Sequence, residues 1–429
     1  MATSSPAPPV ATLVHGLLRV ATCGSVDDGK STLLGRLLHD TRQIADDQLD
    51  HVRDVSERRG TVLDLALLTD GLRAEREQGI TIDVAYRSFE TPRRRFILAD
   101  CPGHEQYTRN MVTGASTADA AVLLVDARHG VVAQTRRHLA ITALLRVPHV
   151  LVAVNKMDLV DWDGARFAEI AGDIRALAET LGVEDVACVP VSALEGDNVV
   201  EPSARTPWYD GPPLVTRLEE LPPESDDPDG PLRFPVQLVI RPLGGAGGGR
   251  RYAGRVARGT VRPGDAVVAL PSGEEAVVAA VETLDGELAH ASAPRSVSIV
   301  LDRELDISRG DVLCRTGAAP ALTRELEATL CWMSERHLRP GARLLLKHGT
   351  RTTRAIVEDV TERLHLQTLL GAPAPDGLAL NDLGRVRLRV AEPLVADPYA
   401  ESRAAGAFVL IDDATNDTVA AGMITATTG

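Results

Sequence analysis

The chain predicts an α/β domain, a mostly parallel sheet with helices on both faces, followed by two all-β barrel domains. Three observations carry this. Through the first half, near-continuous apolar runs of strand length alternate with segments of helical spacing, the pattern of a parallel sheet covered on both sides. At residues 221–231 the chain becomes acidic and proline-rich, "LPPESDDPDGP", the composition of a linker. Beyond it helical segments nearly vanish. Short runs punctuated by Gly, Pro and Asp follow, in the rhythm of antiparallel barrels or sandwiches.

Each element has its own signal. Residues 1–14, "MATSSPAPPVATLV", lack a basic start and a long apolar stretch, so they read as a flexible tail rather than a signal peptide. "LLRVATC" is a strand entering a Gly-rich turn, and "STLLGRLLHDT" leaves that turn with helical spacing. "RRFILAD", "DAAVLLVDA", "HVLVAVNKMD" and "VACVPVSA" are four further buried strands, with "QTRRHLAITALLR" and "ARFAEIAGDIRALAETLG" as helices between them. "RRR" at 93–95 reads as a solvated hairpin turn. The expected division is a first domain over 15–222, a linker over 223–231, and two β domains over 232–318 and 319–429. "FPVQLVI", "GRVARGTV", "DAVVALP" and "SVSIVL" are strands of the second domain, and "TGAAPALT" marks the start of the third. "PLGGAGGGRR" at 242–251 reads as a hairpin tip and not a phosphate loop, because no helix follows it.

Composition narrows the class. With 429 residues, 44% hydrophobic and 25% charged, the chain is an ordinary globular protein too long for one core. Aromatics are 3%, so the cores must be built from Val, Leu, Ile and Ala. A net charge of −14 gives no sign of a broad nucleic-acid surface, and no nucleic-acid partner is expected. The five scattered cysteines form neither a disulfide framework nor a zinc site, which fits reduced thiols in the cytoplasm. No run of 18 uncharged apolar residues occurs, so no membrane partner is expected.

The chemistry lies at the strand ends. "GSVDDGKS", residues 24–31, matches G-x-x-x-x-G-K-[ST] between a strand and a helix. Gly24 and Gly29 let the backbone of Ser25, Val26, Asp27 and Asp28, and on through Lys30, Ser31 and Thr32, wrap phosphates with its N–H groups inward. Lys30 would pair with the β- and γ-phosphates, and Ser31 would ligate Mg²⁺. "DCPGH" places Asp100 to hold the metal through water and the Gly103 N–H to sense the γ-phosphate. In "NKMD", the Asp158 carboxylate accepts from both N1–H and N2–H of guanine. Adenine offers neither donor, so the nucleotide is GTP. Asn155 would support the base edge, and the stem of Lys156 would pack on the ring. Ser192, Ala193 and Leu194 would offer backbone N–H to the guanine carbonyl. His104, after D-x-x-G, can orient the attacking water, and Thr81 in "REQGITI" would be the switch hydroxyl that meets Mg²⁺. Asp27 is open between a monovalent-cation ligand and a solvated or helix-capping carboxylate, and Cys101 reads as a small apolar spacer. The remaining histidines have no metal-ligand spacing.

What the GTP serves comes from resemblance. "GITI", "DCPGH" and "NKMD" resemble the elongation-factor-type translational GTPases. Longer stretches are similar to the GTPase (large) subunit of bacterial sulfate adenylyltransferase: "CGSVDDGKSTLLGRLL", "REQGITIDVAYR", "DCPGHEQYTRNMVTGAS", "VDARHGVVAQTRRH", "VSALEGDNVV", "FPVQLVIRP" and "ELDISRGDVL". The likeness runs from about Leu17 to Ile424. Translational relatives carry His where this chain has Asp28, and a different pair where it has Glu105 and Gln106. "RPLGGAGGGRRYAG" departs from the family's shorter linker. The resemblance implies GTP hydrolysis coupled to ATP plus sulfate giving adenosine 5′-phosphosulfate and diphosphate. ATP and sulfate would be bound by a small catalytic partner subunit. With one G-x-x-x-x-G-K-[ST] in the chain, no fused adenylylsulfate kinase is expected. The alternatives are a translation factor that binds ribosome or tRNA, and a scaffold that binds GTP without useful hydrolysis.

Overall fold

The computed structural model describes residues 16–59, 65, 83–222, 227–241, 249–320, 322–374 and 376–428. The chain divides into two compact units, 1–223 and 224–429.

The first unit is a six-stranded sheet. Its strands are β1 (Leu17–Gly24), β2 (Ala85–Glu90), β3 (Arg95–Asp100), β4 (Ala120–Asp126), β5 (His149–Asn155) and β6 (Val186–Pro190), in the order β2-β3-β1-β4-β5-β6. All neighbours are parallel except β2, which runs antiparallel to β3. Every residue of β4 is buried, as its unbroken apolar run requires when helices cover both faces. β2 has no such run. Its burial alternates because it is an edge strand with one neighbour, which is why its sequence did not announce it.

The helices are α1 (Lys30–Asp40), α2 (Asp46–Arg59), α3 (Thr108–Ala115), α4 (Ala133–Leu144), α5 (Gly164–Leu181) and α6 (Leu214–Glu220). Leu33, Leu34, Leu37 and Leu38 repeat at helical spacing and bury one face of α1 on β1, β3 and β4, through Leu18, Val20, Leu98 and Leu124. The strand order reverses at β1. In open α/β sheets a crevice for ligands forms at such a point, beyond the strands' C-terminal ends.

The arginine run at 93–95 corrects the expected solvated turn, because Arg94 is fully buried. Its Nε donates to the Gly16 carbonyl at 3.1 Å, and its Nη1 donates to the carbonyls of Leu218 at 3.2 Å, Glu219 at 3.3 Å and Leu221. The last carbonyls of a helix have no partner within it, and Arg94 supplies one for α6. Arg93 and Arg95 remain at the surface, paired with Glu219 at 3.3 Å and Glu90 at 3.6 Å.

The second unit holds two large antiparallel sheets, each closed into a six-strand ring, and a short antiparallel pair of Thr260–Val261 with Ala291–Ser292. One comprises Arg233–Ile240, Arg251–Arg255, Ala266–Leu270, Glu274–Thr283, Ser296–Leu301 and Val312–Arg315, closed by the pairing of Ala266–Leu270 with Glu274–Thr283. The other comprises Leu322–Trp332, Arg343–His348, Arg351–Leu364, Leu383–Val395, Ala407–Ile411 and Thr418–Thr428, closed by Arg343–His348 with Arg351–Leu364. Closure removes exposed strand edges. Each ring encloses its own apolar core, which includes Phe234, Tyr252 and Ile299 in the first and Leu330, Leu346 and Leu388 in the second. Most of the proposed hairpin tip, residues 242–248, lies outside the described residues. Among the described residues, no helix is long and apolar enough to cross a membrane.

Candidate functional site

The loops that follow β1, β3, β5 and β6 meet at the C-terminal end of the sheet. β1 ends at Gly24, and the turn to α1 passes through Gly29 at φ +91°, a left-handed conformation that favours glycine. A Cβ on Gly29 would strike the Asn155 amide, so this position also needs glycine for space. Asp28 closes the turn from inside. Its buried carboxylate accepts the Ser25 N–H at 2.6 Å, and burial pushes its pKa above the usual value. Val26 and Asp27 are exposed at the tip, while Ser31 and Thr32, at the start of α1, are half-buried.

Lys30 and Asp100 are brought together as a buried ion pair, with Nζ 2.5 Å from Oδ1. Thr22 of β1 lies beside Asp100 of β3 in the sheet register, which sets this approach. Gly103, three residues on, packs against the carbonyl of Gly24 so closely that a Cβ there would overlap it. The Gly103 carbonyl accepts from Gln134 Nε2 at 2.5 Å, and Gln134 Nε2 also lies 3.0 Å from His138 Nε2. Gln134 thus fixes the peptide leading into His104. Burial, with the nearby charges of Arg137 and Lys30, pushes the His138 imidazole down to about 3, so it is neutral at ordinary pH. His104 itself is exposed, and its Nδ1 accepts from the Gln106 N–H at 3.4 Å. Thr81 lies outside the described residues.

The residues expected to read the base are tied to the same loop through Asn155 and Lys156. Asn155 Nδ2 donates to the Asp28 carbonyl at 2.7 Å, and its Oδ1 accepts from the Ala193 N–H at 2.9 Å. Lys156, at φ +63°, sends its ammonium to the Asp27 carbonyl and to Asp126 Oδ2, the latter at 2.9 Å. Asp158 is half-buried in the turn after β5, Ser192 is fully buried, and Leu194 is exposed. Arg36 of α1 donates to the carbonyls of Ala193, at 3.2 Å, and Leu194. Cys101 is fully buried, its thiol held well above its usual pKa by the Cys23 thiol and by burial, as an inert space-filler would be. A separate groove of about 990 Å³, lined by Asp40, Glu201 and Asp210 among others, contains none of these motif residues.

Sequence reasoning named the motif residues but missed Asp126, Arg128, Gln134, His138 and Arg36, which hold them. Four of these five lie in the stretch from Asp126 to His138, "DARHGVVAQTRRH", which carries the family resemblance, and Arg36 lies on the helix that follows the phosphate loop.

Comparison with known proteins agrees with this geometry. The elongation factor Tu GTP-binding domain matches residues 15–238, and the GTP-eEF1A C-terminal domain-like family matches residues 325–425. Sulfate adenylyltransferase subunit 1 of Methylorubrum populi is 51% identical over 95% of this chain and 87% of its own length. The subunit 1 of Alteromonas mediterranea is 49% identical over 95% and 86%. The bifunctional enzyme CysN/CysC of Mycobacterium tuberculosis is 52% identical over 95% of this chain and 67% of its own length. Through the shared loop chemistry and this extent of identity, the chain belongs to the sulfate adenylyltransferase subunit 1 family, within the elongation factor Tu-type GTP-binding proteins.

Proposed function

We propose that this chain is the GTP-hydrolysing, energy-coupling subunit of a sulfate adenylyltransferase. It works with a small catalytic subunit on which ATP and sulfate become adenosine 5′-phosphosulfate and diphosphate. The observation that carries the reading is the meeting of the phosphate loop with Asp100, Gly103 and Asn155 in a chain half-identical to named subunit 1 proteins. Residues 15–222 are read as the GTPase domain, 223–231 as the linker, and 232–318 and 319–429 as the two barrel domains.

In this reading the N–H groups of residues 24–32 wrap the phosphates. The Lys30 ammonium, paired in a buried place with Asp100, turns to the β- and γ-phosphates. Ser31 and Asp100 present hard oxygen donors on two loops that converge, a set suited to Mg²⁺. Bound there, the ion would neutralise charge on the β- and γ-phosphates, and Thr81 would add a third oxygen. His104 orients a water in line with the γ-phosphorus. The bond to the β,γ-bridging oxygen breaks as the water oxygen bonds to phosphorus, giving GDP and phosphate. Asp158 selects guanine, with Asn155, Lys156 and the 192–194 backbone around the base.

The coupling has a thermodynamic motive. The sulfate–phosphate anhydride is so unstable that its formation from ATP is strongly uphill, and GTP cleavage drives it only if switch states are tied to adenylyl transfer. The test is GTP hydrolysis by the chain alone and with the small subunit, with ATP and sulfate added or withheld. Turnover should rise only with partner and substrates, and Lys30→Ala should lower it at least about 100-fold. Stimulation by ribosomes instead would move the chain to translation.

A further inference from the structure

We infer that Asp126 is a positioning residue for the base subsite. It is the counter-ion that holds Lys156 in place, so guanine-nucleotide affinity in this chain depends on a carboxylate outside the recognised motifs. The inference rests on reading the site as a guanine-nucleotide site.

Asp126 ends β4, and its residue partner across the sheet is Asn155, the last residue of β5. That register puts its carboxylate beside the next residue, Lys156. The carboxylate is 2% exposed, yet it is surrounded by donors. Lys156 Nζ lies 2.9 Å from Oδ2, and Arg128 Nη2 lies 2.6 Å from the same oxygen. The Arg128 backbone N–H and Nε donate to Oδ1 at 2.9 and 3.0 Å. Burial alone would push this carboxyl up. The bonds from Arg128 and Lys156 more than reverse that and hold it below the usual carboxylate range, so it stays ionised.

Lysine is a flexible stem ending in a charge that makes no directional fork. To lie flat against a ring, the stem must have its end fixed. Here the ammonium has two anchors, the Asp27 carbonyl on the phosphate loop and the Asp126 carboxylate. Neutralising Asp126 removes the charged anchor and leaves the backbone one. Arg128 reaches the same carboxylate from the exposed side and also feels the charge of Asp158, so the pair stands at the rim of the base subsite.

The experiment measures equilibrium binding of GDP, GTP and ADP to the full chain and to Asp126→Asn, Lys156→Ala and the double variant. Asp126→Asn should bind GDP and GTP more weakly by the same factor, roughly tenfold. In the Lys156→Ala background the second change should cost almost nothing, because Asp126 acts through Lys156. A structural role alone would instead give additive losses. Arg128→Ala, which leaves the Lys156 pair intact, gives a second reading should Asp126→Asn fold poorly, with an expected loss of twofold to threefold. Undiminished affinity in Asp126→Asn, or full additivity in the cycle, overturns the inference. Wild-type chain that fails to prefer GDP over ADP overturns the site reading instead.

Discussion

His138 is a buried imidazole seated beside Gln134 and the Gly103 loop, and its pKa has a consequence for stability. In the folded chain it is pushed down to about 3, against 6.5 for an unperturbed histidine. The unfolded chain therefore takes up a proton across that window that the folded chain refuses. The contribution is complete above about pH 6.5 and is lost as pH falls towards 3, amounting to about 2 kcal/mol by pH 5. His348 in the second unit shifts the same way, because it is buried too. Asp28 has the opposite sign: its raised pKa makes its contribution fall as pH rises above the ordinary carboxylate value, at the acid end of the range. Urea titrations at pH 7 and pH 5 should show the wild type losing more stability than His138→Gln, and equal losses would refute this. None of these environments could be read from residue type. A histidine four residues after a glutamine looks the same in sequence whether it faces water or the Gly103 carbonyl.

At the scale of elements, the short helix α6 depends on a hairpin far away in the chain. Arg94 supplies hydrogen bonds to three of the carbonyls at its end and to Gly16 before β1. Arg94→Ala leaves those buried carbonyls unsatisfied and should cost about 2–4 kcal/mol. Arg94→Lys should recover little, since one ammonium cannot span them. Denaturant unfolding measures both, and GDP affinity should stay within twofold because no nucleotide-loop residue is among Arg94's partners. The parallel strands were legible because burial on both faces demands continuous apolar runs. β2 was not, since an edge strand alternates and its polar residues resemble loop. The arginine run was misread for a related reason: charge normally marks solvent, and only the α6 carbonyls make burial of Arg94 favourable.

Within the second unit, the two closed rings are joined by a buried pair. Arg233, on the first strand of one ring, donates from Nε and Nη2 to both carboxylate oxygens of Asp397, which follows the long strand of the other, at 2.8 and 2.9 Å. Both side chains are 6% exposed. Arg351 repeats the arrangement, donating to Asp311 at 2.7 Å and to the Gly310 carbonyl at 3.0 Å. Removing one partner of a buried pair leaves a charge without compensation, so Arg233→Ala should destabilise the unit by about 3–5 kcal/mol. Replacing both residues with apolar ones of similar volume should restore most of that. Calorimetry of wild type, single and double variants decides it, and a single variant that melts like wild type would show the pair to be dispensable.

Fold class, family and motif positions are legible in the residues alone. In the proposed reading, phosphate wrapping and guanine selection are, like strand burial, local demands that a few residue types at fixed short spacing can meet: Gly24, Gly29 and Lys30 on one turn, and Asn155 and Asp158 on another. Tertiary structure decided what holds those motifs. Lys30 meets Asp100 across 70 residues, Gln134 reaches Gly103 across 31, and Arg94 reaches Leu218 across 124. It also placed Asp126 beside Lys156, because adjacent parallel strands end in register. Pairings of that kind depend on sheet order and strand register, which arise from the packing of the whole unit and leave no mark at the spacing of either residue alone.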